Sequence, residues 1–326
     1  MQSLNNKRIL VTGGTGSFGK YFVKKILSKA KPKEIIIFSR DEMKQWMMKN
    51  QYSNNKILKF VIGDIRDLEK LKEVCKNVNL IIHAAATKIV PTAETNPEEC
   101  IKTNINGAMN VIKAANINNV PKVVALSTDK ACNPINLYGA TKLASDKLFI
   151  AANNKKNYRS IFSVVRYGNV MGSRGSVIPF FLSLKNKNFF PITNLGMTRF
   201  MISLDEAVQF VFNTINMMKG GEIFVKKIPS MKITEIAKAI NYKKKLKVVG
   251  IREGEKIHEQ MITVEDSKNT IELKDFFIIK SSNNYKAPKN SKKVKPGFFY
   301  DSLNNHKWMT RKNLENWIRK NKLNFE

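Results

Sequence analysis

The chain has 326 residues, 43% of them hydrophobic and 25% charged, the proportions of a globular protein large enough to bury one big core or two interlocked ones. No run reaches the roughly 18 apolar residues that a membrane-spanning helix needs, so no membrane partner is expected. The net charge of +31 would by itself suggest nucleic acid, yet only 10 of the 57 basic residues are Arg and the lysines are spread along the chain. Base and phosphate recognition favours Arg, so no nucleic-acid partner is expected and the charge is read as a solvated surface that attracts anionic nucleotides.

In chain order, a strand-like "KRILVTGG" begins at Lys7 and leaves no room for a leader, so a cytoplasmic location is expected. A helix "YFVKKILSKA", a strand "EIIIFS" and a Met-rich helix from Asp41 follow. The alternation continues through "ILKFVIGD", "LEKLKEVC", "VNLIIHAAA", a helix from about Pro97 to Asn118, "KVVALS", a long helix after Pro134 and "SIFSVVRYGNV". Strands alternating with helices predict right-handed βαβ units, hence an α/β fold with a doubly wound parallel sheet (Rossmann). After Tyr167 the rhythm loosens. Residues 1–170 are read as a dinucleotide-binding domain to which 203–227 return, and 171–202 with 228–326 as a smaller C-terminal α/β substrate-binding lobe. Cys75, Cys100 and Cys132 lack any C-x-x-C and the three histidines lack ligand spacing, so neither disulfides nor a metal is expected.

The turn "VTGGTGSFGK" joins the first strand to the first helix and spaces Gly14, Gly16 and Gly19, or equally Gly13, Gly16 and Gly19, as a pyrophosphate-binding turn requires. At the end of the second strand an acid would bind a ribose 2′-hydroxyl, whereas the chain has "FSRDE". Ser39 and Arg40 therefore point to NADP, and Asp41 is read as a helix cap. Asp64 is placed to meet the adenine, and Ala84, Ala85 and Ala86 supply small side chains where a cofactor would lie along the strand end. Downstream, "STDKACNPINLYGATK" puts Tyr138 and Lys142 on one face of a helix. A phenol with a pKa near 10 needs a nearby ammonium to serve as a base, a charge expected of Lys142.

The segments "GGTGSFG", "SRDE", "GDIRD", "HAAATKIVPTAETNPEECIKTNINGA", "STDKA", "YGATK", "RYGNVMGSRGSVIPFF", "MTRF", "GGEIFVKKIPSMK" and "IREGEKIHE" span nearly the whole chain. They resemble the extended short-chain dehydrogenase/reductases, and within them the inverting UDP-N-acetylglucosamine 4,6-dehydratases that begin the route to pseudaminic acid. The resemblance implies catalytic roles for Asp129, Lys130 and Tyr138, with Thr128 and Lys142 beside them. The expected cofactor contacts are Gly13, Thr15, Gly16, Ser17, Phe18, Gly19, Ser39, Arg40, Asp64, Ile65, Ala84, Ala85, Ala86, Lys88, Thr103, Ser127, Tyr138, Lys142 and Tyr167. The substrate, UDP-N-acetylglucosamine, is expected to meet Lys88, Asn169, Arg174, Val177, Arg199, Arg252 and Glu255. Its arginines suit a diphosphate because the guanidinium fork binds two oxygens at once. The "TNLG" before "MTRF" is less charged than the usual family wording.

On this reading Tyr138 as phenolate deprotonates the C4 hydroxyl. A neutral Lys130 then removes the C5 proton and a protonated Asp129 assists the C6 hydroxyl to leave as water. Retaining relatives carry Glu after the Asp, so Lys130 discriminates. A retaining dehydratase or a 4-epimerase on the same scaffold is the alternative, as is a non-catalytic dinucleotide- or nucleic-acid-binding protein. The resemblance also implies a homo-oligomer.

Overall fold

Short apolar runs rich in β-branched residues become the strands β1 (Arg8–Thr12), β2 (Glu34–Ser39), β3 (Leu58–Ile62), β4 (Leu80–His83), β5 (Lys122–Thr128) and β6 (Ile161–Tyr167). β1, β2 and β4 to β6 are buried along almost their whole length, as a parallel sheet covered on both faces requires. The computed structural model describes residues 2–53, 55–155, 157–184, 186–281 and 285–321. Across the sheet the order is β3-β2-β1-β4-β5-β6, all parallel, with Glu222–Lys226 joining β6 in the same sense. The order reverses between β1 and β4, which opens a crevice at the carboxyl ends of the strands.

The helix Leu204–Met217 starts with a capping box between Ser203 and Glu206. It packs on the helix α1 (Ser17–Lys29), where the rings of Phe22 and Phe212 stack 5.1 Å apart. Beyond it the sequence-based division does not describe the sheet. Phe276–Lys280, Thr270–Glu272 and the Lys292–Lys293 pair all extend the main sheet as antiparallel strands, although 228–326 was assigned to the lobe. The continuous apolar run "FFIIK" covers the edge of the strand Glu222–Lys226, and tertiary pairing of this kind leaves no mark on local composition.

The lobe has its own apolar core. Met171, Ile178, Phe181, Phe190, Ile192, Met231, Ile236 and Leu314 bury together, apart from the cluster around the main sheet. Among the described residues no helix is long and apolar enough to cross a membrane.

Candidate active site

The crevice between the sheet and the lobe is a cavity of about 1060 Å³. Every residue expected at the site lines it except Asp129, which lies behind the wall and is 0% exposed. The glycine turn forms one end. Gly13 adopts φ +65°, and a Cβ there would sit 2.8 Å from the Ala85 nitrogen, so the turn lies directly on the chain after β4. Gly16 is the N-cap of α1, and the unpaired first N–H groups of that helix make a ready anion site. Thr15 Oγ1 donates to Ser39 Oγ at 3.1 Å and ties the turn to the end of β2.

Arg40 stands at the cavity mouth, 56% exposed and 3.5 Å from Asp64. Burial would raise the Asp64 carboxyl, but hydrogen bonds and charge from Arg66 hold it below its ordinary range, with a smaller pull from Arg40. Asp41 caps the helix Glu42–Gln51, accepting from the Lys44 N–H at 2.9 Å. The acid after Arg40 is thereby occupied by the helix. Lys44 itself lines the cavity, and the Lys20 amine is lowered by burial and by the charges of Arg174 and Lys44. These groups make this end of the cavity strongly positive.

Beneath the sheet end, His83 at the end of β4 is buried and bonded to Thr12 through Nδ1 at 2.9 Å, and burial lowers it to about 3, so it stays neutral. Thr103 lies in the π-helical segment Lys102–Asn106, where the expected single helix from Pro97 to Asn118 is interrupted. Asn104 in the same segment fastens the wall by donating to Thr87 and Thr141. A π-turn of this kind commonly re-aims side chains at functional sites. Lys88 crosses the mouth and donates to the Arg174 carbonyl at 2.8 Å.

The reactive groups converge on the short turn after β5. Asn136 caps the helix Leu137–Ala152, so Tyr138 and Lys142 stand one helical turn apart on its buried face. Tyr138 is buried, which pushes its phenol up to about 12, while the Lys130 charge and a hydrogen bond with Thr128 pull it back. The ammonium acting on this phenol is therefore that of Lys130. Lys142, to which that charge was assigned from the sequence, donates to the Leu126 carbonyl at 2.8 Å and is lowered by burial.

Asp129 Oδ1 accepts from Thr128 Oγ1 at 3.0 Å and from Lys130 Nζ at 3.1 Å, and Oδ2 is buried without a partner. Burial raises its carboxyl above the ordinary range, while the Lys130 charge and the hydrogen bonds from Lys130 and Thr128 pull it back. Lys130 is 22% exposed and also meets Glu259 Oε1 at 2.9 Å. Burial alone would lower the amine, but the two carboxylates outweigh it and hold Lys130 as an ammonium, not the neutral base expected.

On the lobe side, Asn169 opens a short strand parallel to Thr198–Ile202, and Val177 begins the helix Val177–Ser183. Arg199 is buried, with Nη1 donating to the carbonyls of Thr198 and Ile257 and Nη2 to that of Lys256. Its fork fastens the 255–259 segment and is thus committed to protein rather than open to a diphosphate. Arg252 and Arg174 reach the cavity from exposed positions, Arg252 through a two-point pair with Glu255.

Two groups were missed. Glu259 is 2% exposed and joins Lys130 to Arg199, yet in the sequence it is one acid among several in "IREGEKIHE". Asp146 accepts from Ser127 at 2.7 Å and from Arg166 at 3.1 Å beneath the site. Its place one turn past Lys142 was the available signal.

The profile of a family described as polysaccharide biosynthesis protein matches residues 9–281. The chain is 52% identical over 323 residues to a UDP-N-acetylglucosamine 4,6-dehydratase (inverting) of Campylobacter jejuni, covering 95% of this chain and 96% of that one. It is 44% identical over 283 residues to a UDP-glucose 4-epimerase of Rickettsia bellii, 84% of this chain and 83% of that one. The X-ray structure of Pen from Bacillus thuringiensis superposes with a TM-score of 0.91 at 36% identity, covering 98% and 99% of the two chains.

Proposed function

The chain belongs to the polysaccharide biosynthesis protein family, and within it we propose that it is a UDP-N-acetylglucosamine 4,6-dehydratase that inverts C5. The product is UDP-2-acetamido-2,6-dideoxy-β-L-arabino-hex-4-ulose. The observation that carries this reading is the buried Asp129–Lys130 pair set beside Tyr138 at the wall of a cavity whose other end is the glycine turn. Identity of 52% to an inverting dehydratase supports the same reaction. The resemblance further supports a cytoplasmic homo-oligomer at the start of a route to pseudaminic acid.

A nicotinamide dinucleotide fits the cradle formed by Gly13, the start of α1 and Ala84–Ala86. Ser39, Arg40 and Lys44 favour the form with a 2′-phosphate, NADP, because the acid that follows Arg40, Asp41, is taken up as a helix cap and Asp64 is paired with Arg66. Bound there, the cofactor supplies the hydride acceptor for C4 and the donor for C6.

The protein's own groups handle protons. Tyr138 takes the proton of the C4 hydroxyl, aided by the nearby Lys130 charge and by Thr128. With a ketone at C4 the C5 hydrogen is acidic, and Lys130, once it has given up a proton, receives it. The C6 hydroxyl leaves as water with a proton from Asp129, whose link to the cavity runs through Thr128 and Lys130, and a solvent-derived proton then enters C5 from the opposite face, which inverts that centre. Arg174, Arg252 and Glu255 orient the nucleotide diphosphate. Arg199 is assigned to the loop that carries Glu255 and not to direct contact.

NMR of the product formed from UDP-N-acetylglucosamine in heavy water tests this. Deuterium at an inverted C5 beside a 4-ketone and a C6 methyl is expected, and an unchanged C5 configuration refutes the assignment. A 4-epimerase is the second reading, favoured by the 44% identity to a UDP-glucose 4-epimerase. The product separates the two, since an epimerase returns a C4 epimer that keeps its C6 hydroxyl, whereas the dehydratase loses that hydroxyl as water.

A further inference from the structure

The Lys130 amine sits in a buried arrangement that the acid–base assignment above leaves incomplete. Its nitrogen lies 3.1 Å from Asp129 Oδ1 and 2.9 Å from Glu259 Oε1. Glu259 comes from the loop on the opposite wall, is 2% exposed, and meets Arg199 Nε at 3.8 Å, while its Oε2 has no hydrogen-bond partner. The other charged or titratable groups acting on this cluster are Lys256, which donates to the Cys132 carbonyl at 2.5 Å, the buried Cys132 thiol and the Tyr138 phenol. A buried carboxylate is stable only when paired, and Glu259 meets that condition through Lys130 and Arg199, so its charge is held directly against the Lys130 amine.

We infer that Glu259 is a positioning residue for elimination: its carboxylate, steadied by Arg199, holds the Lys130 nitrogen at the cavity wall and sets the pH at which that nitrogen and Asp129 exchange their protons with solvent. The inference rests on the dehydratase reading. Elimination needs Asp129 protonated and Lys130 neutral. The C5–H bond breaks and its proton joins the Lys130 nitrogen, the C5–C6 double bond forms, and the C6–O bond breaks as the Thr128 hydroxyl gives the proton that completes water and takes one from Asp129. The pair ends as ammonium and carboxylate, the reverse of its starting state, so a proton must return between them or through solvent before each turnover. Glu259 acts on both members. Its negative charge favours the ammonium of Lys130 and disfavours the carboxylate of Asp129. It thereby keeps the acid loaded while raising the pH needed to free the base.

The test is the pH profile for solvent deuterium entering C5, measured on the holoenzyme and on Glu259→Gln, with cofactor reduction at 340 nm recorded in parallel. Removing the negative charge lowers both proton affinities, so both limbs of the bell should move to lower pH by about one unit or more, while C4 oxidation persists. Limbs that stay in place beneath a lowered rate would mean a merely structural role and overturn the inference. Should Glu259→Gln not fold, Glu259→Asp decides, because withdrawing the carboxylate must move the limbs in the same direction, and unmoved limbs again refute.

A second readout needs no turnover. Without substrate, Glu259→Gln should lower the melting temperature clearly in the wild-type background and much less in Lys130→Met, because the charge it neutralises has then lost its partner. Equal losses in both backgrounds overturn the inference. If wild-type protein leaves UDP-N-acetylglucosamine unchanged, the reaction assignment fails, and this cycle still reports whether Glu259 acts on Lys130.

Discussion

His83 supplies a stability prediction that can be worked through from its surroundings. The ring is buried at the end of β4, bonded to Thr12 and close enough to Lys142 for that charge to oppose its protonation, and burial lowers it to about 3 from an ordinary 6.5. A depressed histidine is neutral when folded and free to protonate when unfolded, so its contribution is complete above about pH 6.5 and is lost as pH falls toward 3. Between pH 7 and pH 5 the unfolded chain gains ~2 kcal/mol from this one site, since each pH unit below the unfolded value is worth ~1.4 kcal/mol. The perturbation is His83→Asn, which removes the titration whatever it costs in packing. Urea unfolding of both proteins at pH 7, 6 and 5 supplies the comparison. The wild-type protein should lose about 2 kcal/mol more than the variant over this interval. Parallel losses in the two proteins would refute the argument, because they would mean that His83 binds its proton equally well folded and unfolded.

Three further outcomes are expected. Gly13→Ala places a Cβ 2.8 Å from the Ala85 nitrogen at φ +65°, and should weaken dinucleotide binding at least about tenfold by fluorescence titration while leaving helix content by circular dichroism intact. Arg40→Glu should raise the Kd for NADP by about tenfold or more, with little change for NAD, by isothermal calorimetry; equal losses for both would remove Arg40 from 2′-phosphate recognition. Asn136→Ala removes a cap that accepts from Gly139 N at 2.7 Å and a donor to the Gly254 carbonyl at 2.7 Å, and should cost ~1 kcal/mol in thermal unfolding and lower kcat, since the helix carrying Tyr138 and the loop carrying Glu255 lose their shared anchor.

Local pattern located residues at the cavity wherever they lie within one element and its two neighbours. The glycine turn, Ser39–Arg40 and the Tyr138–Lys142 spacing are all contacts made inside a strand–turn–helix unit, and periodicity places them directly. The pattern failed where long separations meet. Glu259 lies far along the chain from Lys130, and no spacing rule links them. Their contact exists because Arg199, on a lobe strand, gathers the carbonyls of Lys256 and Ile257. The same distance problem hid the antiparallel strands after residue 260, which complete a sheet begun at Arg8. The state of Lys130 was illegible for a related reason, because its charge depends on a carboxylate that only the fold supplies.

The reactive turn is held by backbone packing more than by its own side chains. A Cβ on Gly139 would sit 2.3 Å from the Lys130 carbonyl oxygen, so the helix carrying Tyr138 is pressed directly onto the turn carrying Asp129 and Lys130. Thr128 caps that turn, and Ser127 before it is fixed by the buried Asp146–Arg166 pair. Lys130, Asp129 and the Tyr138 phenol are consequently referenced to one another through main-chain contacts that side-chain substitution leaves in place. Such rigidity favours preorganised proton transfer, in which little reorganisation is needed at the moment of reaction.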